Sequence, residues 1–315
     1  MRRVALIHNP ASGQYSARRE ASIQEVLSVL RAAGVEAESF VTSSVESVAA
    51  YAEQAVSQGC DAILACGGDG TVHAVLQSLV GTDVALGVIP LGTANALAAN
   101  LGLTGTPAQA ARILVNASPV RIPVGRIHFQ NKGGAPDSRY FLVAAGVGAD
   151  ALLMSRLDAE LKRRFGYVLY LVEALRIWGT HSFPLFEAAF ANGSGAPRVS
   201  QVSQLLAVRV RSFGGVLREF APGATLRNRT LHLIAFATRS RLRYLRFLLA
   251  AIAGRHTFAN EIALIETTSV DCRACNGSRE ILYVEADGEV LGSLPARMET
   301  IPDALTLLIP QGAQP

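Results

Sequence analysis

The first hundred residues alternate between short apolar runs and segments whose apolar positions recur at helical spacing. Val4-Ala5-Leu6-Ile7 reads as a buried strand, closed by the turn Asn9-Pro10-Ala11-Ser12-Gly13. From Arg18 to Ala33, the residues Ile23, Val26, Leu27 and Leu30 share one helical face, and Gly34 ends the helix. Val35 to Thr42 reads as a second strand. Thr42-Ser43-Ser44 can cap a helix that runs through Val48, Ala52 and Val56. Asp61-Ala62-Ile63-Leu64-Ala65 is a third strand. It leads into Cys66-Gly67-Gly68-Asp69-Gly70-Thr71-Val72-His73 and then a helix over Ala74 to Val80. Val84 to Ile89 is a fourth strand, followed by Pro90-Leu91-Gly92-Thr93-Ala94-Asn95 and a helix from Ala96 to Leu101. Strands alternating with helices predict an α/β domain with a mostly parallel sheet covered on both faces. Ligands of such sheets sit beyond the carboxyl ends of the strands, the edge from which all three small-residue turns leave.

From about Pro119 the pattern changes. Arg121 to Phe129, Tyr140 to Ala145, Phe186 to Phe190, Gln204 to Val210, Leu231 to Phe236, Ile262 to Thr268, Ile281 to Glu285 and Leu305 to Ile309 read as strands. Joints containing Gly, Pro and Asn separate them, which predicts an antiparallel β-sandwich. Two helical stretches interrupt it. Leu161 to Trp178 carries Tyr167, Tyr170, Leu171, Ala174 and Leu175, a set that reads as core or as the lining of a lipid cleft. Arg239 to Ala253 sets Arg241, Arg243 and Arg246 among apolar residues, as a packed helix or a membrane-facing one would. The expected division is residues 1–118 and 119–315, with the C-terminal segment able to return to the first domain.

Composition narrows the class. Half of the 315 residues are hydrophobic and 17% are charged, so the chain folds and has length enough for two domains. The net charge of +4 weakly favours anionic partners. The few aromatics are not interleaved with a basic stripe, so nucleic acid is not expected. Phe247 to Ala253 is the most apolar stretch and is too short to cross a bilayer. Met1-Arg2-Arg3 leads straight into a strand, with no signal-peptide pattern. The expectation is a cytoplasmic protein, peripherally membrane-associated at most, whose Cys60, Cys66, Cys272 and Cys275 are reduced thiols. Cys272-Arg273-Ala274-Cys275 has zinc-like spacing but no second pair, and so specifies little.

The chemistry concentrates in the turns. Glycines at a strand-to-helix turn permit positive φ and let backbone N–H groups approach a ligand, and the helix behind adds its positive end. Such a turn suits phosphate, but Asp69 would repel it. Either a divalent metal lies between them or Asp69 orients another group. Near the other end of the chain, Asp287-Gly288-Glu289 sets two carboxylates two residues apart, facing the same side of a strand if Gly288 does not bend it. Asp-Gly is also a common hairpin signal.

Asn9-Pro10-Ala11-Ser12-Gly13, Gly67-Gly68-Asp69-Gly70-Thr71, Pro90-Leu91-Gly92-Thr93-Ala94-Asn95 and Asp287-Gly288-Glu289 together resemble the diacylglycerol kinase catalytic family. That family includes bacterial lipid kinases and the sphingosine and ceramide kinases, and the resemblance spans nearly the whole chain. It implies an α/β nucleotide domain like that of NAD kinases, a C-terminal antiparallel β-sandwich, and an active site in the cleft between them. By motif match, Asn9, Pro10, Ala11, Ser12, Gly13, Thr42, Gly67, Gly68, Asp69, Gly70, Thr71, Val72, His73 and Thr93 would hold ATP. Asp69 would bridge Mg²⁺ and the phosphates. Asp287 or Glu289 would accept the proton of the attacking alcohol, and the residues do not decide which. His73 stands where relatives often have Asn, to touch the nucleotide or to cap its helix.

The implied reaction is transfer of the ATP γ-phosphate to the hydroxyl of a lipid alcohol, diacylglycerol or a relative. Its partners are ATP, the lipid and, transiently, a membrane surface, and a homodimer is compatible with it. The alternatives are a sphingoid or ceramide kinase, an NAD kinase, and a nucleotide- or lipid-binding protein with little turnover. Three departures from the family pattern bear on the choice. Gln14 replaces a frequent Lys, Ala96 replaces a frequent Asp, and Pro222 to Arg229 lacks the acidic residues that hold a structural Mg²⁺ in bacterial relatives. A second metal site is therefore not expected.

Overall fold

The computed structural model describes residues 1–8, 16–42, 44–156, 167–192, 195–213, 221–252, 262–275, 277 and 280–313. The chain forms two compact units, Met1–Val124 with Pro302–Pro315, and Gly125–Ile301.

In the first unit the apolar runs become strands wherever they are bounded by helical periodicity. The order is β1 (Arg3–His8), α1 (Ser16–Ala32), β2 (Glu36–Val41), α2 (Val45–Ser57), β3 (Ala62–Gly67), α3 (Asp69–Leu79), β4 (Ala85–Pro90), α4 (Ala96–Asn100) and α5 (Pro107–Val115). The sheet runs β2-β1-β3-β4 and every pairing is parallel. β3 is buried at all six positions, as a strand covered on both faces must be. Gly34 ends α1 with a positive φ of 75°. Ser44 caps α2 reciprocally with Ser47. Helix α5, not anticipated from the pattern, starts with a Thr106–Gln109 capping box and Pro107 in its first turn.

The chain's return completes this sheet. Leu307 pairs in parallel with Leu86 of β4. Gly81 N–H donates to the Ala304 carbonyl at 2.9 Å. Arg121 donates to the carbonyls of Thr82 and Asp303 and to Thr306 Oγ1.

The second unit is antiparallel. It begins in β5 (Ser118–Asn131), then β6 (Pro136–Phe141), β7 (Ala144–Val147), α6 (Ala149–Arg156), a helix at Tyr167–Thr180, β8 (Phe186–Asn192), β9 (Gly195–Val202), β10 (Gln204–Val208) and β11 (Leu231–Phe236). A helix at Arg241–Ile252, β12 (Ile262–Thr267), β13 (Ser269–Ala274), β14 (Tyr283–Ala286) and β15 (Glu289–Ile309) follow. One run of strands is β12-β11-β10-β7-β14-β15. β15 pairs β14 near its start and β13 over Ala296–Glu299, and β8 and β9 continue from β13. Its core gathers Phe129, Phe141, Phe186, Phe190, Leu205, Leu233, Val284 and Met298.

Several expectations are revised here. Tyr140 to Ala145 is two strands, not one, and β9, β13 and the part of β15 before Leu305 were not anticipated. β15 contains Pro295 and Pro302, so its sequence does not read as one continuous strand. On the Tyr167–Thr180 helix, Val172 and Leu175 are exposed and Ile177 is buried, so one face is unpacked. Residues 161–166 of the expected helix lie outside the described residues. Cys272 is buried in β13 and all four thiols are free.

Phe141 fills the side-chain space of its cross-strand partner Gly125, where a Cβ would lie 2.2 Å from the ring. Phe141→Ala is expected to cost about 3–5 kcal/mol by chemical denaturation. Gly125→Ala should also destabilise, because the ring has to move.

Candidate active site

Two strand-to-helix turns of the first unit interlock. Gly67 ends β3, and Gly68, the N-cap of α3, has φ −89° and ψ −173°. This corrects the expectation that these glycines supply positive φ. Their use is close approach. A Cβ on Gly67 would lie 2.3 Å from Thr71 Oγ1, and one on Gly92 would lie 2.5 Å from the Gly68 Cα. Only two glycines let the turns pass so near each other.

Helix α3 also begins earlier than its apolar pattern indicates, so Asp69, Gly70 and Thr71 form its first turn. The helix has no side-chain cap, and Asp69 lies in the turn where an acid is favoured. Asp69 Oδ1 accepts the N–H of Ala96 at 2.8 Å, tying α3 to the start of α4. Thus Asp69 does orient another group. Leu91 N–H donates to the Gly67 carbonyl at 2.9 Å. Asn95, left-handed at φ 49°, accepts from Gly92 N–H and donates to the Gly92 carbonyl.

The remaining nucleotide candidates divide by exposure. Gly70 and Thr93 are exposed, and Thr71 is partly so. Val72 and His73 are buried within α3, so His73 does not cap the helix. Thr42 is buried, its Oγ1 donating to the His8 carbonyl at 3.2 Å. Asn9, Pro10, Ala11, Ser12, Gly13 and Gln14 lie outside the described residues. Arg19 was missed by sequence reading. It is buried, donates to the Leu91 carbonyl at 3.1 Å, and has its pKa lowered by desolvation. An arginine on the buried side of an amphipathic helix was the available signal.

In the second unit, Asp287-Gly288 is the two-residue turn of the β14–β15 hairpin, with Ala286 paired to Glu289. Both turn residues have positive φ, 49° and 83°, as a type I′ turn requires. The strand reading of Asp287 and Glu289 is therefore revised to a hairpin, and the hairpin is not a plain solvated one. Asp287 Oδ1 accepts the N–H groups of Val143 and Ala144 at 2.8 and 3.0 Å, and Oδ2 accepts that of Leu142 at 3.0 Å. Asp287 N–H donates in turn to the Ala144 carbonyl. Glu289 is exposed.

Glu285 and Arg209 surround this turn, and neither was anticipated. Glu285 is buried, and its Oε2 accepts the Gly288 N–H at 2.9 Å. Arg209 is buried and donates to the carbonyls of Leu226 and Asn228. Burial pulls its pKa down to about 10, opposed by the negative charge of Asp287. In the Pro222–Arg229 loop, Asn228 donates to the Gly223 carbonyl and contacts Thr225 and His232.

Among the described residues, no three His, Cys, Asp or Glu side chains come together as a metal site. Mg²⁺ that arrives with a nucleotide needs only one or two carboxylates, its other ligands being phosphates and water. Asp69, at an uncapped helix start, fits that role and not an all-protein cage.

Residues 3–127 match the model of the diacylglycerol kinase catalytic domain, and residues 142–309 match the YegS C-terminal NAD kinase beta sandwich-like domain. A diacylglycerol kinase of Mycobacterium tuberculosis is 30% identical, covering 98% of this chain and 96% of its own. One from Bacillus subtilis is 24% identical over 99% and 97% of the two chains. The crystal structure of a diacylglycerol kinase from Bacillus anthracis superposes with a TM-score of 0.70 at 18% identity, covering 99% and 98%, a likeness of fold.

The interlocked turns are testable without a ligand. Gly92→Ala should cost about 1–3 kcal/mol in denaturant unfolding, because its Cβ meets backbone that cannot swing away. Asp69→Ala should lose about 0.5–2 kcal/mol, the worth of a helix cap, while Asp69→Asn keeps an acceptor oxygen and most of the stability.

Proposed function

The chain belongs to the diacylglycerol kinase catalytic family and is a lipid kinase, and from that premise we propose that it transfers the γ-phosphate of ATP to the hydroxyl of diacylglycerol or a closely related lipid alcohol. Kinases of this family use ATP. In this reading the first unit holds the nucleotide. The uncapped N-terminus of α3 and the turns at Gly67–Thr71 and Leu91–Asn95 offer backbone N–H groups to phosphate. Asn9 to Gly13, Thr42, Val72, His73 and Thr93 complete that set. Asp69 holds Mg²⁺, which when bound neutralises phosphate charge.

The observation that carries the reading is the unequal state of the two hairpin carboxylates. Asp287 has its oxygens committed to three backbone N–H groups, which leaves little capacity to receive a proton from an alcohol. Glu289, two residues on, is exposed. We assign Glu289 as the general base and Asp287 as the residue that positions it.

The lipid remains in its bilayer in this scheme, so the protein docks on a surface. Among the described residues no helix is long and apolar enough to cross a membrane. The Arg241–Ile252 helix exposes Leu242 and Leu249 beside Arg241, Arg243 and Arg246, a pattern suited to an anionic bilayer.

An assay with radiolabelled ATP over vesicles containing diacylglycerol, sphingoid base or ceramide, with NAD in a separate arm, tests the substrate. Label is expected in diacylglycerol. Label only in another acceptor reassigns the substrate, and label in none favours a binding protein. Glu289→Gln should lower kcat by at least about 10²-fold without changing stability. Asp287→Ala should lose both activity and about 2 kcal/mol or more of stability, since it strands buried N–H donors. Full turnover in folded Asp287→Asn and Glu289→Gln variants would remove both residues from the mechanism. Leu242→Ser with Leu249→Ser should weaken vesicle sedimentation while leaving turnover of a detergent-dispersed lipid unchanged.

A further inference from the structure

Directly beneath the Asp287–Gly288 turn lies a second pair of carboxylates. Glu285 on β14 stands opposite Gly146 on β7. Residues directly opposite in an antiparallel pair carry their Cβ atoms about 4.5–5.5 Å apart. Gly146 has no Cβ, and the Asp150 carboxylate of α6 fills the vacated place. Asp150 Oδ2 lies 1.8 Å from where that Cβ would be. Asp150 therefore reaches back across the first turn of its helix and occupies the side-chain slot beside Glu285.

Among the described residues this pair has no counter-ion. Although Asp150 is partly exposed as a residue, both of its carboxylate oxygens are buried, and among the described residues only the backbone of its own turn, at Asp150 and Ala151, acts on them as a donor. One oxygen of Glu285 is used by the Gly288 N–H. Among the described residues, the other groups that act on the pair are acidic or neutral. Asp287 and Glu289 act on Glu285 from the hairpin. Tyr244, from the Arg241–Ile252 helix, bonds Ser203 Oγ at 2.8 Å and has its own ionisation raised by burial and by Asp150. The buried cation Arg209 donates to the carbonyls of Leu226 and Asn228 and is acted on by the charge of Asp287.

We propose that Asp150 and Glu285 share one proton, and that this shared proton keeps Glu285 bonded to Gly288 N–H and so holds the hairpin that carries Glu289 in its working geometry. Two adjoining carboxylates buried without a cation cannot both ionise at little cost. With one proton between them, the protonated member donates to the other and the pair carries a single charge. When the proton is lost, repulsion drives Glu285 away from Asp150 and off the Gly288 amide. Asp150 and Glu285 are thus positioning residues, and the proposal rests on the assignment of Glu289 as base.

The shift in ionisation agrees with this geometry. Burial pushes the Asp150 carboxyl up to about 7 and raises Glu285 as well, Asp150 being the next cause for Glu285. The folded protein then binds more protons than the unfolded chain between the ordinary carboxylate range and about pH 7. Stability from this pair is complete at low pH and is lost as pH rises through that window.

Two readouts test it on the full chain. The first is the pH dependence of Tm, which requires no catalysis. The wild-type Tm should fall as pH rises from the carboxylate range through neutrality, and Asp150→Asn and Glu285→Gln should each flatten that fall and raise Tm at the alkaline end. The second is the pH profile of kcat on diacylglycerol vesicles. Asp150→Asn, a neutral donor to Glu285, should keep near-wild-type kcat at acidic pH and move the alkaline limb upward. Glu285→Ala, which loses the Gly288 bond, should lower kcat roughly tenfold or more at every pH, the worth of one hydrogen bond to a charged group. Unchanged Tm slopes in both Asp150→Asn and Glu285→Gln would overturn the shared proton. An unchanged alkaline limb in an active Asp150→Asn variant would overturn its hold on the hairpin. If the wild type phosphorylates no lipid, the kinase reading fails while the Tm slopes still decide whether the pair holds a proton.

Discussion

A carboxylate that accepts three backbone N–H groups anchors the chemistry of the second unit. Asp287 takes the amides of Leu142, Val143 and Ala144, at the point where the chain enters β7, and returns its own amide to Ala144. The hairpin is thereby fixed to the neighbouring strand by side chain as well as by ladder. Its left-handed turn residues then have no freedom to relax, and Glu289 emerges at a defined place on β15. Arg209 supplies the compensating charge from the buried side. An acid held by three backbone N–H groups is a fixture of the hairpin, whereas Glu289, two residues on, is exposed.

The first unit solves a related problem with almost no side chains. Two of its strand-to-helix turns pass close to each other, and Gly68 against Gly92 permits this. Asp69 then joins the two helix starts through the Ala96 amide. An acid that looks out of place in a glycine-rich turn is thus a strut between two helix starts.

Much of this was legible in the sequence. The βα alternation in the first hundred residues is strong because each buried parallel strand is a continuous apolar run, and β1, β3 and β4 fall within two residues of where that pattern puts them. The Gly-rich turns stand out for the same reason. β15 was largely illegible, since Pro295 and Pro302 interrupt it and a proline demotes a run that would otherwise read as strand. The start of α3 was hidden by glycines, which lower helix propensity while permitting the close contact that the fold needs. Arg19, Arg209, Asp150 and Glu285 could not be singled out, because a lone charge in an apolar stretch shows its partner only after strands from distant parts of the chain are paired. Gly146 illustrates the limit well. Its missing side chain matters only because Asp150 fills the space.

Arg121 and Leu307 have a consequence for how the polypeptide is made. The sheet that contains β1 through β4 accepts a further strand from the segment around Leu307, and Arg121 holds that strand by its carbonyl and hydroxyl groups. On the ribosome, the first hundred-odd residues emerge with one sheet edge open, and it stays open until the segment around Leu307 has been made. Strand addition at such an edge by a neighbouring nascent chain is the hazard of that interval. The order of folding is therefore not the order of synthesis, and the amino-terminal unit is finished only after the intervening sandwich has been translated in full.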